Sequence, residues 1–176
     1  RSKIPKESFD QAARGGTLSP EMQARGMRLE RTVMPGTYYL GFNMRDPVVG
    51  HDAGDRGRKL RQAMSLVVDA PEFQRVFLNG RGVTAQSPVP PGLFGYDPDY
   101  RNPFRQVDPE RARRLLAEAG YPGGVDPATG RPLRISFDTG DPSVQGRLRY
   151  EFFVAAWRKL GLDVEIAATS YNQFQD

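Results

Sequence analysis

His51 is the only imidazole of the chain, and it stands between acids in Gly50-His51-Asp52-Ala53-Gly54-Asp55. A histidine beside two carboxylates is raw material for an acid–base or metal site. A run with two glycines cannot hold such groups still, so the pattern predicts a solvated loop instead. Gly80-Arg81-Gly82-Val83-Thr84-Ala85 satisfies the letter of G-x-G-x-x-A. That loop cradles a pyrophosphate only where it follows a strand and opens a helix, and here it follows a helical pattern. The third group is Asp138 and Asp141, flanking Thr139-Gly140 just past a strand pattern at 133–138. Asp141 before Pro142 reads as a helix start, a role that needs no ligand. The carboxyl ends of strands in open α/β sheets are nevertheless where ligands bind, so these four residues are the strongest functional candidates. Zero Cys, one His and the absence of G-x-S-x-G, H-E-x-x-H or a Walker-type loop predict no catalytic residue, no metal and no cofactor.

The elements that must position this group are legible from period and punctuation. Asp108-Pro109 opens a helix in which Ala112, Leu115, Leu116 and Ala119 form one apolar stripe, and Gly120 with Pro122 ends it. Ser19, Pro20 and Gly26 bracket a shorter helix. Alternation over 28–34 and aromatic density over 37–43 predict two strands joined at Pro35-Gly36. Leu60, Ala63, Met64 and Val67 keep a helical period. Asp69, Pro71 and Glu72 then start another helix with Phe73, Val76 and Phe77 inward and Gly80 as its stop. Residues 81–107, rich in Pro and Gly, predict a long contact loop.

After it come a strand at 133–138, a helix begun at Asp141 and a strand at 162–168. That order predicts a parallel pair with a right-handed crossover. In the helix Tyr150, Phe153, Trp157 and Leu160 make one stripe and Leu148, Phe152 and Ala155 a second, so it is expected to be largely buried, with Trp157 in the core. Parallel strands would bring Asn43, Asp138–Asp141 and Thr169-Ser170 to one sheet edge.

At 176 residues the prior is a single domain with a core of its own, and no apolar run approaches the roughly 20 residues of a transmembrane helix. Net charge is +4 and pI about 9.6, yet the arginines are scattered among acids, so no nucleic-acid partner is expected.

Taken in order, "YYLGFN", "LRQAMSLVVD", "NGRGVTAQSPVPP", "DPERARRLLAEAGYPGG" and "WRKLGLDVEI" resemble the extracytoplasmic solute-binding proteins of peptide-type ABC transporters, family 5, over residues 37–176. The resemblance implies an α/β lobe, a mixed sheet covered by helices, from the C-terminal half of a longer bilobed protein. Residues 1–27 would form a loop-rich lead-in and 28–176 the core. It further implies capture of a peptide or similar solute between two lobes. The partners implied are the first lobe of the same chain and an ABC permease in the membrane. The location would be periplasmic or extracytoplasmic, with a lipoprotein anchor one option. Asn43, Asp138, Thr139, Gly140, Asp141, Thr169 and Ser170 form the expected cleft edge, while the family's Asp for a ligand amino group would lie beyond Asp176. Two departures stand out: Ala70 after Val67-Val68-Asp69 where the family has Arg, and a longer loop from Pro47 to Lys59. Relatives that bind nickel chelates, sugars or haem, and a solute-sensing lobe of a cytoplasmic regulator, remain alternatives.

Overall fold

A computed structural model describes residues 6–14, 17–30 and 32–175. Backbone contacts divide the chain into two units, Arg1–Tyr38 with Pro71–Tyr100, and Tyr39–Ala70 with Arg101–Asp176. In the first, α1 (Lys6–Ala12) leads into an antiparallel pair, β1 (Ala13–Arg14) and β2 (Thr17–Leu18), and then α2 (Pro20–Ala24). The Ser19 hydroxyl accepts from the Met22 N–H at 3.4 Å, and Gly26 follows the helix at φ +71°. Both are the start and stop that the residue types dictate.

The strands expected at 28–34 and 37–43 do not form. A strand needs a neighbour's backbone to satisfy its N–H and C=O groups. No described residue pairs with these segments, and Tyr38 and Tyr39 lie exposed; Arg31 lies outside the described residues. Composition supplied strand-forming side chains, but not the partner.

In the second unit α3 (Gly54–Ser65) buries Leu60, Ala63 and Met64. α4 (Ala70–Leu78) lies, after its first residue, in the first unit, and the rings of Phe73 and Phe77 stand 4.9 Å apart one turn from each other. Val76 is exposed instead of inward: the helix buries no residue, and its apolar pair is half covered. No helix or strand occurs between Leu78 and Pro109.

α5 (Pro109–Glu118) is built as its sequence reads. Asp108 accepts from the Arg111 N–H at 2.9 Å, Ala112, Leu116 and Ala119 are buried, and Gly120 follows at φ +88°. A 3₁₀ turn at Pro122–Gly124 precedes the antiparallel pair β3 (Val125–Asp126) and β4 (Arg131–Pro132). Then β5 (Arg134–Thr139), α6 (Val144–Arg158) and β6 (Asp163–Ala168) form a β-α-β unit, its strands parallel from Arg134 opposite Asp163 to Thr139 opposite Ala168. A final α7 (Tyr171–Gln175) follows.

One core joins α3, α5, α6 and the parallel pair. Trp157, 4% exposed, stands edge-on to Phe137 at 5.6 Å, and its indole N–H donates to the Met64 carbonyl at 3.0 Å. α6 is one-sided, against the expectation of burial around most of its circumference: Leu148 and Ala155 face outward because the sheet covers only the Val154–Trp157 face. Arg56 closes the end of α5 by donating to the Ala119 carbonyl at 3.0 Å and lying 5.1 Å over the Tyr121 ring. Lys59 ties α3 to α5 through Glu118, 3.0 Å away.

Two glycine turns cross backbone on backbone. A Cβ at Gly161, where φ is +86°, would stand 2.0 Å from the Gly123 carbonyl oxygen, and one at Gly124 would stand 2.4 Å from the Gly161 carbonyl carbon. Gly130 has φ +67° with nothing within 4 Å.

Three outcomes follow, all measured by urea denaturation. Trp157→Ala is expected to lose about 3–5 kcal/mol, from cavity formation and an orphaned carbonyl. Gly130→Ala should cost only left-handed strain, about 1–2 kcal/mol. Gly161→Ala should cost distinctly more, because strain and collision add.

Candidate functional site

Parallel pairing sends the C-terminal ends of β5 and β6 to one edge. The Thr169 N–H donates to the Thr139 carbonyl at 2.9 Å, extending the register one residue beyond the ladder. Asp138, Thr139, Gly140, Asp141, Thr169 and Ser170 therefore emerge together. α5 is not part of this edge; its partners are α3 and the turn at Pro122–Gly124.

Most of the polar side chains here have local work. Thr139, 6% exposed, accepts through Oγ1 from the Asp141 N–H at 3.2 Å. Asp138 is exposed and accepts from the Ser136 hydroxyl at 3.0 Å. Asp141 accepts from the Ser143 N–H at 3.0 Å, so it precedes the helix instead of capping it. The cap is Ser143, whose Oγ accepts from the Gly146 N–H at 3.0 Å. This corrects the helix start read at Asp141: its carboxylate is engaged by the Ser143 N–H in a turn ahead of the helix, and Ser143, as good a cap as Asp, opens α6 two residues later. Gly146 is needed for this turn, since a Cβ there would lie 2.5 Å from Asp141 Oδ2.

The hydrogen bonds from Ser143 hold the Asp141 carboxyl below the ordinary aspartate value, with the charge of Arg149 a smaller cause. On the other strand, the Ser170 hydroxyl donates to Gln173 Oε1 at 2.9 Å, and the Ser170 N–H donates to the same atom at 3.3 Å. The S-x-x-Q pattern of a capping box was there to be read in Ser170…Gln173 and announces α7.

Asn43 ends no strand. It is exposed, its Oδ1 accepts from the Arg45 N–H at 3.0 Å and its carbonyl from the Asp46 N–H at 3.1 Å, so its hydrogen bonds run within its own loop and not to the sheet edge. A shallow groove bounded by Asp126, Arg131, Arg134 and Asp163 lies at the opposite, N-terminal end of the parallel pair. His51 is exposed, 3.4 Å from Asp52. Among the described residues no three His, Asp or Glu side chains converge as a metal site would require. Gly80–Ala85 follows α4 and opens no helix, which removes the geometry a dinucleotide loop needs.

The sequence profile of the bacterial extracellular solute-binding proteins, family 5, middle region, matches residues 8–176, and the chain belongs to that family. It is 32% identical over 105 residues to heme-binding protein A of Haemophilus influenzae, covering 59% of this chain and 18% of that protein. To the dipeptide-binding protein of Escherichia coli it is 27% identical over 117 residues, covering 66% and 21%. The fold is shared with the oligopeptide-binding protein AppA of Bacillus subtilis, solved with a nonapeptide: TM-score 0.64 at 20% identity, over 77% of this chain and 26% of that one. The chain thus spans about a fifth of the two curated relatives.

A folded-state pKa below the unfolded one means that Asp141 contributes stability above its unfolded value, about 4, which is lost as pH falls through the folded value. A carboxyl NMR titration should place Asp141 below ordinary aspartates. Ser143→Ala should move it back toward them and cost about 1 kcal/mol through the lost cap.

Proposed function

We propose that these 176 residues are part of the C-terminal-half lobe of a solute-binding protein that captures a peptide or similar solute between two lobes and delivers it to an ABC permease. The observation that carries this is the gathering of Asp138–Asp141 with Thr169 and Ser170 at the C-terminal edge of a parallel pair, in a chain of this family. Ligands of open α/β sheets are held at that edge. Asn43 is a candidate contact on the separate ground of its carboxamide, which both donates and accepts. The protein makes and breaks no bond. It closes because the solute touches both lobes only in the closed form, so ligand shifts the hinge by its difference in affinity for the two states. The work is done outside the cytoplasm, where the family operates.

Haem is the second reading, favoured by the name of the 32%-identical relative. Calorimetry of the full-length protein with alanine di- to pentapeptides and, separately, with haem distinguishes the two. Peptide binding at roughly 1 µM or tighter is expected, and the 176-residue chain alone should bind more weakly than roughly 10 µM because it offers one wall. Haem binding without peptide binding overturns the peptide reading, and equal affinity of chain and full-length protein overturns the two-wall mechanism.

A further inference from the structure

Gly140 is not among the glycines held at positive φ, so its backbone does not call for glycine. Space does. A Cβ at this position would stand 3.1 Å from both the Cα and Cδ2 of Tyr171 and 3.2 Å from the Cβ of Phe174. Carbon atoms in ordinary contact keep about 3.5–4.0 Å. The missing side chain thus lets α7 lie directly on the end of β5.

α7 is fixed at its start as well. The Thr169 N–H to Thr139 carbonyl bond sets where the chain leaves β6, and the Ser170–Gln173 bonds with the Phe174 N–H to Ser170 carbonyl bond, 2.9 Å, set the helix start. Tyr171 and Phe174 remain 62% and 48% exposed, so the helix presents half-covered rings above the edge that carries Asp138 and Thr169.

We propose that Gly140 is a positioning residue for solute binding: by seating α7 on β5 it sets the room left for a solute at the cleft edge. This rests on the reading of that edge as the cleft. A methyl at Gly140 moves α7 by a few tenths of an ångström, which a short solute tolerates and a longer one, reaching past the edge, does not.

The test is Gly140→Ala in the full-length protein, with Gly36→Ala as control, since a Cβ at Gly36 meets nothing within 4 Å. Hydrogen exchange of the α7 amides and calorimetry with dialanine and tetra-alanine are the readouts. Faster α7 exchange is expected, with tetra-alanine weakened about fivefold and dialanine nearly unchanged, none of it in the control. Unchanged exchange overturns the seat. Altered exchange with both peptides weakened equally, or neither, overturns the aperture role and leaves Gly140 as packing only. If the unsubstituted protein binds neither peptide, the peptide reading fails first and takes the aperture role with it, while α7 exchange still decides the seat.

Discussion

Trp157 links parts of the second unit that are far apart in sequence. Its ring fills the space between α6 and β5, and its N–H reaches the carbonyl of Met64 near the end of α3, 93 residues away. A buried indole demands a partner for its single donor, and here the partner belongs to another helix. The bond is therefore an orientation constraint as well as a contact: it fixes how the β-α-β unit sits against the α3–α5 pair. The candidate site inherits that constraint, because the edge it occupies is the end of β5, and Phe137 of β5 lies against Trp157.

The second constraint is the crossing of glycine turns. The turn after α5 meets the turn after α6, and at Gly124 and Gly161 the two backbones approach with no room for a β-carbon, the Gly161 turn lying against the Gly123 carbonyl. Arg56 serves the same junction from above, closing α5 by its bond to Ala119 and covering Tyr121. The run Gly120-Tyr121-Pro122-Gly123-Gly124 is thus more than a helix stop. Its glycines let β5 begin where α6 can lie over it, and so decide where the strand ends and the candidate site starts.

At the proposed cleft edge, the polar side chains are already engaged in holding the fold. Thr139 and Asp141 spend their side-chain acceptors on the turn into α6, and Ser170 spends its hydroxyl on α7. Under the proposed function, what they would offer a solute is a rim already held by internal hydrogen bonds. Asp138, exposed and anchored only by Ser136, carries the accessible charge. A rim held by internal hydrogen bonds needs little reorganisation on binding, which keeps the entropic cost of ordering it out of the binding free energy.

Local grammar is legible at α2 and α5, where one element's residues suffice to define it, whereas at α6 two local candidates, Asp141 and Ser143, compete for the start and Ser143 takes it. Asp108-Pro109 with Gly120, and Ser19-Pro20 with Gly26, mark helices because caps, φ restrictions and a 3.6-residue stripe all lie within one stretch of chain. The β-α-β order, and with it the group Asp138–Asp141 beside Thr169-Ser170, came from the same signals and from the resemblance of five motifs in sequence. What tertiary structure alone decided is whatever depends on a partner. Residues 37–43 have the side chains of a strand but no strand neighbour among the described residues, so they form none, and Asn43 loses its place at a strand end. Leu148 and Ala155 of the second α6 stripe face out, while Phe152 is half-buried beside Phe153. Gly140 looks in the sequence like a turn residue, and only the approach of Tyr171 and Phe174 shows that its use is space. A sequence records what each residue can offer, whereas strand pairing, burial and close approach depend on which distant residue arrives to meet it.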